Sequence, residues 1–139
     1  MKVVIMGSGR IGARVASSLA TDGHEVSIIE INPAQITNLS RSQVDTGDIQ
    51  LVIGDGTRAV VLFEAGIEEA DAFLALSGDD AMNGLAAQKV KTVYRTRRVV
   101  CQVKNDGLRE LYSSLGLTVT SPTNLVSEMI LQTVPDISG

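Results

Sequence analysis

The chain has 139 residues, enough for one domain with a substantial core and too few for a second catalytic domain beside it. Hydrophobic residues make up 44% and charged residues 20%, which excludes a disordered chain; with aromatics at 3% and no tryptophan, the core has to be built from Val, Ile, Leu and Ala. A net charge of −4 argues against a nucleic-acid partner, which calls for a basic face.

The first predicted strand, Lys2–Met6, runs into Gly7-Ser8-Gly9-Arg10-Ile11-Gly12 and a helical pattern over Arg10–Asp22. The second predicted strand, Glu25–Glu30, ends on an acid eighteen residues beyond Gly12. That ordered set is a dinucleotide-binding fingerprint, and each part has a physical task. Gly7 permits a tight turn, Gly9 lets the backbone approach a pyrophosphate, and Gly12 lets the helix sit close to the strands. The helix N-terminus offers free N–H groups and a partial positive charge to phosphate oxygens. Arg10 either clamps a terminal phosphate or stands exposed in the first turn without a partner. Glu30 can accept hydrogen bonds from a ribose diol. Its charge opposes a 2′-phosphate, so NAD(H) or ATP/ADP, each with a free 2′-hydroxyl, is expected rather than NADP. His24, the only histidine, lies at the opposite end of the sheet and reads as a surface residue.

Asn32-Pro33 opens a helix predicted over Pro33–Ser42, a cap followed by proline in the first turn. The third predicted strand, Leu51–Ile53, leads to Gly54-Asp55-Gly56-Thr57 and a helix over Arg58–Ala65. In a doubly wound sheet this turn sits near the adenosine half of a bound nucleotide. Asp55 can meet the adenine amino group there while Gly56 lets the backbone approach the ring; equally, Asp55 or Thr57 can serve as a helix cap. The fourth strand, Ala72–Leu76, ends in Ser77-Gly78-Asp79-Asp80 and a helix to Tyr94. The Ser77 hydroxyl and the Gly78 backbone are expected to face the phosphates, with Asp79 and Asp80 suiting the helix N-terminus. No accompanying ligand cluster makes these acids a metal site. Lys89, Lys91, Arg95, Arg97 and Arg98 read as a solvated helix end.

The single cysteine, Cys101, falls in the fifth predicted strand, Val99–Val103, as a small buried thiol; alone, it excludes a disulfide framework within the chain and any multi-cysteine metal site. A helix over Gly107–Leu115, a strand at Thr118–Thr120 and a terminal helix from about Pro122 to Thr133 complete the pattern. Alternating β and α units with short linkers imply right-handed crossovers. The expected architecture is an α/β, doubly wound Rossmann fold: a six-stranded parallel sheet of order 3-2-1-4-5-6 with helices on both faces, one domain over 1–139. No apolar run approaches the ~20 residues needed to cross a bilayer. A cytoplasmic protein without a leader is expected, the first strand starting at residue 2 or 3. With the only histidine, His24, at the end of the sheet opposite the crevice, no His-based general acid, Ser–His or Cys–His pair is expected there, so no catalytic residue is assigned.

From Met1 to about Thr133 the pattern resembles the N-terminal nucleotide-binding domain of Trk/Ktr potassium-uptake regulators, also called RCK or KTN domains. The residues that carry the likeness are the glycine fingerprint, Gly54-Asp55-Gly56-Thr57, Ala65-Gly66-Ile67, Ala70-Asp71-Ala72-Phe73, Ser77-Gly78-Asp79-Asp80-Ala81-Met82-Asn83, Leu115-Gly116-Leu117 and Ser121-Pro122. The resemblance implies a regulatory subunit at the inner face of the membrane that binds NAD(H), ATP or ADP and controls a membrane-embedded potassium transporter or channel. It places Gly7, Ser8, Gly9, Arg10, Ile11 and Gly12 around the phosphates, Glu30 on the ribose, and Asp55 and Gly56 beside adenine. Ser77 would line the crevice, and Lys104 and Asn105 would reach the distal half of the ligand. It also implies homodimers, or a larger ring, with Leu125, Val126, Met129, Ile130 and Val134 of the terminal helix as the apolar face. The family often has aspartate where Glu30 stands, and often continues into a second small lobe, which is not expected within this sequence. The reading from another class is the NAD-binding domain of an oxidoreductase whose catalytic domain is missing.

Overall fold

The computed structural model describes residues 1–134. Its strands are β1 (Lys2–Met6), β2 (Glu25–Glu30), β3 (Ile49–Ile53), β4 (Ala72–Ala75), β5 (Arg98–Gln102) and β6 (Thr118–Thr120). They form one all-parallel sheet of order β3-β2-β1-β4-β5-β6, the expected doubly wound arrangement. The helices are α1 (Arg10–Thr21), α2 (Arg41–Asp45), α3 (Ala59–Glu64), α4 (Asp80–Lys89), α5 (Asp106–Ser114) and α6 (Pro122–Thr133).

Alternating side chains of the central strands feed two cores. Val3 and Ile5 of β1 pack with Val26, Ile28, Ala13 and Ala16 under α1 and α2. Val4 and Met6 face the other way and pack with Leu62, Phe73, Ala86 and Val90 under α3 and α4, with Leu108 and Tyr112 of α5 at the margin. Complete burial of side chains such as Ile5, Ile28 and Phe73 stabilises the sheet by roughly 1.5–3 kcal/mol each. Because β1 pairs with β2 on one side and β4 on the other, the chain reverses its winding at β1, and a crevice opens at the carboxyl ends there.

Several element boundaries differ from the sequence expectations. β3 starts at Ile49, two residues early, because Ile49 is buried and registers against Val26. The helix expected over Pro33–Ser42 is divided into a 3₁₀ turn, Pro33–Asn38, and the short α2. Leu39 is extended and buried between them, and the Ser40 hydroxyl accepts from Gln43 N–H at 3.4 Å, restarting the helix. The helix expected over Asp80–Tyr94 ends its α-helical part at Lys89 and widens into a π-helical turn, Val90–Tyr94, closed by Arg95 at φ 55°. Two of the basic residues there have structural partners. Lys89 donates to the Thr57 carbonyl at 2.9 Å, and Lys91 donates to the Gly116 carbonyl. Cys101 is fully buried, as expected. His24 lies at the amino ends of the strands, 3.0 Å from the Met1 amine. Among the described residues no helix is long and apolar enough to cross a membrane.

Candidate functional site

The carboxyl ends of the central strands enclose a cleft of about 460 Å³, a size typical of small-molecule sites. Gly7 and Gly9 form its floor, Glu30 and Asn32 one wall, and Ser77, Gly78 and Lys104 the other. Gly56 and Met6 also line it, with a methyl on Gly56 excluded by the Met6 sulfur, 2.6 Å from that position.

The glycine turn has the shape its spacing implies. Gly7 adopts φ +107°, and a β-carbon there would come 2.7 Å from Ser77 Cα, so the turn packs directly on the end of β4. A β-carbon on Gly12 would overlap the Gly7 carbonyl oxygen, which is what lets α1 start close to the strand. At Gly9 the situation is reversed: a β-carbon would meet no atom within 4 Å. Gly9 is the N-cap of α1, and no side chain caps that helix. Orphan N–H groups, the positive end of the helix dipole and open space therefore coincide at one point, as a phosphate group requires.

Glu30 is 6% exposed and its carboxylate is already engaged. One oxygen accepts both the backbone N–H and the hydroxyl of Ser8, each at 2.7 Å; the other accepts Asn32 N–H at 2.9 Å. A carboxylate has about four acceptor positions, so one remains on the second oxygen for a ribose hydroxyl. Ser8 is fully buried with both donors on Glu30, and its carbonyl accepts from the Asn38 amide at 3.1 Å. Its role in the structure is to brace the acid from beneath.

The opposite wall is assembled by α4. Asn83 is fully buried: its side-chain oxygen accepts Ser77 N–H at 3.0 Å and the Ser77 hydroxyl at 2.6 Å, and its amide donates to the carbonyls of Ser77 and Gln102. Asp79 caps α4 through Met82 N–H. The Asp80 carboxylate accepts the backbone N–H of Lys104 at 2.8 Å and of Asn105 at 2.9 Å. Lys104 Nζ then stands 3.6 Å from where a Gly78 β-carbon would be, which brings a cation to the cleft. Tyr112 backs this region, donating to the Asp80 carbonyl, and burial is the main reason its phenol is pushed up from the usual value.

The remaining sequence candidates lie outside the cleft lining. Asp55 faces its own turn, accepting the backbone N–H and hydroxyl of Thr57 at 2.9 and 2.6 Å, and these bonds hold its carboxyl below the usual range. Arg10 and Ile11 are exposed on α1, beside the exposed Arg14 and the partly buried Val15 and Leu19. Asn105 caps α5 by accepting Gly107 N–H at 2.8 Å. Asn32 was expected only as a helix cap, and Met82 and Asn83 only as part of the Ser77–Asn83 run; their places at the cleft, and the anchoring role of Asp80, were not foreseen from the sequence. Beyond its place in that run, the signal for Asn83 was a polar residue in the first turns of a helix whose neighbours, Ala86 and Ala87, are core. Among the described residues no group of His, Cys, Asp and Glu is placed to hold a metal ion.

The model of the TrkA-N domain family matches residues 3–122. The chain is 32% identical over 132 residues to the Trk system potassium uptake protein TrkA of Streptomyces coelicolor, covering 95% of this chain and 57% of that protein. It is 35% identical over 123 residues to the TrkA homolog of Methanothermobacter thermautotrophicus, covering 88% of this chain and 55% of that one. The chain thus spans a little over half the length of these curated relatives. Among solved structures, the Shewanella denitrificans Kef C-terminal domain in its AMP-bound form superposes with a TM-score of 0.80 at 18% identity, covering 100% of this chain and 83% of that one. The GsuK channel bound to NAD superposes with a TM-score of 0.68 at 22% identity, covering 87% of this chain and 21% of that one. These two likenesses are of fold.

Proposed function

The chain belongs to the TrkA-N domain family, and from that premise we propose that it is a nucleotide-binding regulatory domain. It takes an adenine nucleotide with a free ribose 2′-hydroxyl, NAD(H) or ATP/ADP, and through it controls a membrane-embedded potassium transporter or channel from the cytoplasmic side. The observation that carries this reading is the coincidence at one cleft of the uncapped α1 N-terminus, the open space beside Gly9, and the buried acid Glu30. The first two suit phosphate and the third suits a diol. The solved folds bound to AMP and to NAD support the ligand class, and the Trk uptake relatives support the partner class.

Gly7, Gly9 and the first N–H groups of α1 would hold the phosphates, Glu30 the ribose, Gly56 the adenine side, and Ser77, Gly78 and Lys104 the distal half. Ser8 acts through Glu30, while Arg10, Ile11, Gly12, Asp55, Thr57 and Asn105 shape or border the site. We place the subunit contact on α6. That helix buries none of its residues, and Leu125, Val126, Met129, Ile130 and Leu131 are each more than half exposed. So much contiguous apolar surface suits a second copy of this chain better than water. Regulation then requires that nucleotides differ in affinity between assembly states, since equal affinity shifts nothing.

Calorimetric titration with NADH, NAD, ATP, ADP and NADPH, with light scattering in parallel, tests the reading. The expected result is binding of nucleotides with a free 2′-hydroxyl, weak or absent binding of NADPH, and a dimer or larger assembly. Failure to bind any of them would overturn it.

A further inference from the structure

We infer that Asp80 is a specificity-determining positioning residue: by holding the backbone of Lys104 and Asn105 it aims the Lys104 ammonium at the distal end of the cleft, and so selects ligands that carry charge beyond the first phosphate. This rests on the nucleotide reading above and goes beyond it by locating the discrimination among nucleotides.

The strand order lays out the cleft. Glu30 at the end of β2 marks the ribose end, Gly7 and Gly9 after β1 mark the first phosphate, and Ser77 and Gly78 after β4 come next. Lys104, after β5, is last. A nucleoside monophosphate has nothing to offer at that end, whereas a diphosphate presents its terminal phosphate there. Lys104 is an exposed side chain with a flexible stem, and nothing on its own strand fixes it. Its backbone is fixed from α4. The two oxygens of Asp80 each take one N–H of the loop, at 2.8 and 2.9 Å, a two-pronged grip on consecutive residues. Asn83, one turn along α4, ties the same helix to Ser77 and to the Gln102 carbonyl at 2.9–3.0 Å. Both sides of the distal end thus hang on one helix.

The sign of the effect separates positioning from plain electrostatics. Asp80 carries negative charge near the place a phosphate would occupy, so neutralising it should tighten anion binding if charge alone mattered. Loss of the grip acts the other way. Asparagine is isosteric but presents an amide N–H₂ to one of the two loop N–H groups, so the loop loses a partner and Lys104 its fixed origin.

The test is calorimetry of the wild-type protein, Asp80→Asn, Lys104→Ala and the double variant with AMP and with ADP. The expected result is an ADP-to-AMP affinity ratio reduced about tenfold in Asp80→Asn, the scale of one charge-assisted hydrogen bond. Lys104→Ala should give a similar reduction, and the double variant no further one, because Asp80 acts through Lys104. Asp80→Glu, which retains both acceptor oxygens, should keep part of the ratio that Asp80→Asn loses. An unchanged ratio, a raised ADP affinity, equal loss of both ligands or additive effects in the double variant would each overturn the inference. Wild-type protein binding neither ligand would instead overturn the nucleotide reading, and this inference with it.

Discussion

A single oxygen of Glu30 receives both the backbone N–H and the hydroxyl of Ser8, each at 2.7 Å, so the acid expected to meet a ribose is also the partner that satisfies the buried glycine turn. Glu30→Ala is therefore expected to act twice. It removes the ribose acceptor and leaves the Ser8 donors buried without a partner, costing ~1–3 kcal/mol for each such group. Denaturant unfolding of the ligand-free variant should show the structural loss, and calorimetry with NADH the binding loss. A variant as stable as the wild type would contradict the bracing role of Ser8.

Gly9 and Gly12 should respond oppositely to the same substitution. Gly9→Ala adds a methyl to open space, so stability should stay within about ±0.5 kcal/mol while nucleotide affinity falls. Gly12→Ala drives a methyl into the Gly7 carbonyl, and the shift of α1 should cost ~1–3 kcal/mol or more. Thermal unfolding of the two ligand-free variants, followed by ligand titration, distinguishes them.

The Thr57 hydroxyl is the largest cause of the lowered Asp55 pKa, followed by the Thr57 backbone N–H. A depressed carboxylate contributes stability above its unfolded value, 3.8, and loses it as the pH falls through the folded value. Thr57→Val should raise the Asp55 pKa, move acid unfolding to higher pH and cost about 1 kcal/mol at neutrality. Unfolding followed across pH 2–5 in both proteins checks this; coincident curves would contradict it.

Burial, with a smaller contribution from Asp80, pushes the Cys101 thiol up to about 11. The thiolate is the reactive form, so Cys101 should resist an aromatic disulfide reagent at pH 8 in the native protein. Labelling should become rapid in denaturant, and its native rate should follow opening of the β5 region. Fast native labelling would contradict the buried position.

Ile130→Asp places a charge on the exposed side of α6, where Ile130 is 58% accessible. Under the proposed assembly, sedimentation should show a smaller species while the unfolding midpoint of the dissociated chain stays close to that of the wild type under dilute conditions. Unchanged mass would move the subunit contact away from α6.

The sheet was readable because buried parallel strands are short apolar runs and the turns between them are marked by Gly, Asn and Ser-Pro. The order of strands followed from the dinucleotide fingerprint, whose doubly wound fold places β1 at the switch point. Less readable were the places where one side chain has two possible employers. Ser8 sits inside a phosphate fingerprint yet spends both donors on Glu30, and Asp55 bonds its own turn through Thr57. Leu39 ended the second helix by entering the core, which helix periodicity alone does not reveal. Asn83 and Asp80 were legible as helix-start residues, but their partners, Ser77, Gln102, Lys104 and Asn105, depend on β4 and β5 being neighbours.

The pairing of β1 with β4 has a kinetic consequence. Lys2 and Asp71, joined by a backbone-to-carboxylate hydrogen bond where these strands begin, are 69 residues apart in the chain. The β1–β2 and β2–β3 pairs can close over shorter loops, but β4 must return past both before it meets β1. The cleft straddles that late seam. A half-folded chain can own a complete glycine turn and Glu30 and still lack the wall built by Ser77 and Lys104, so recovery of full ligand affinity during refolding would time the last long-range closure of the sheet.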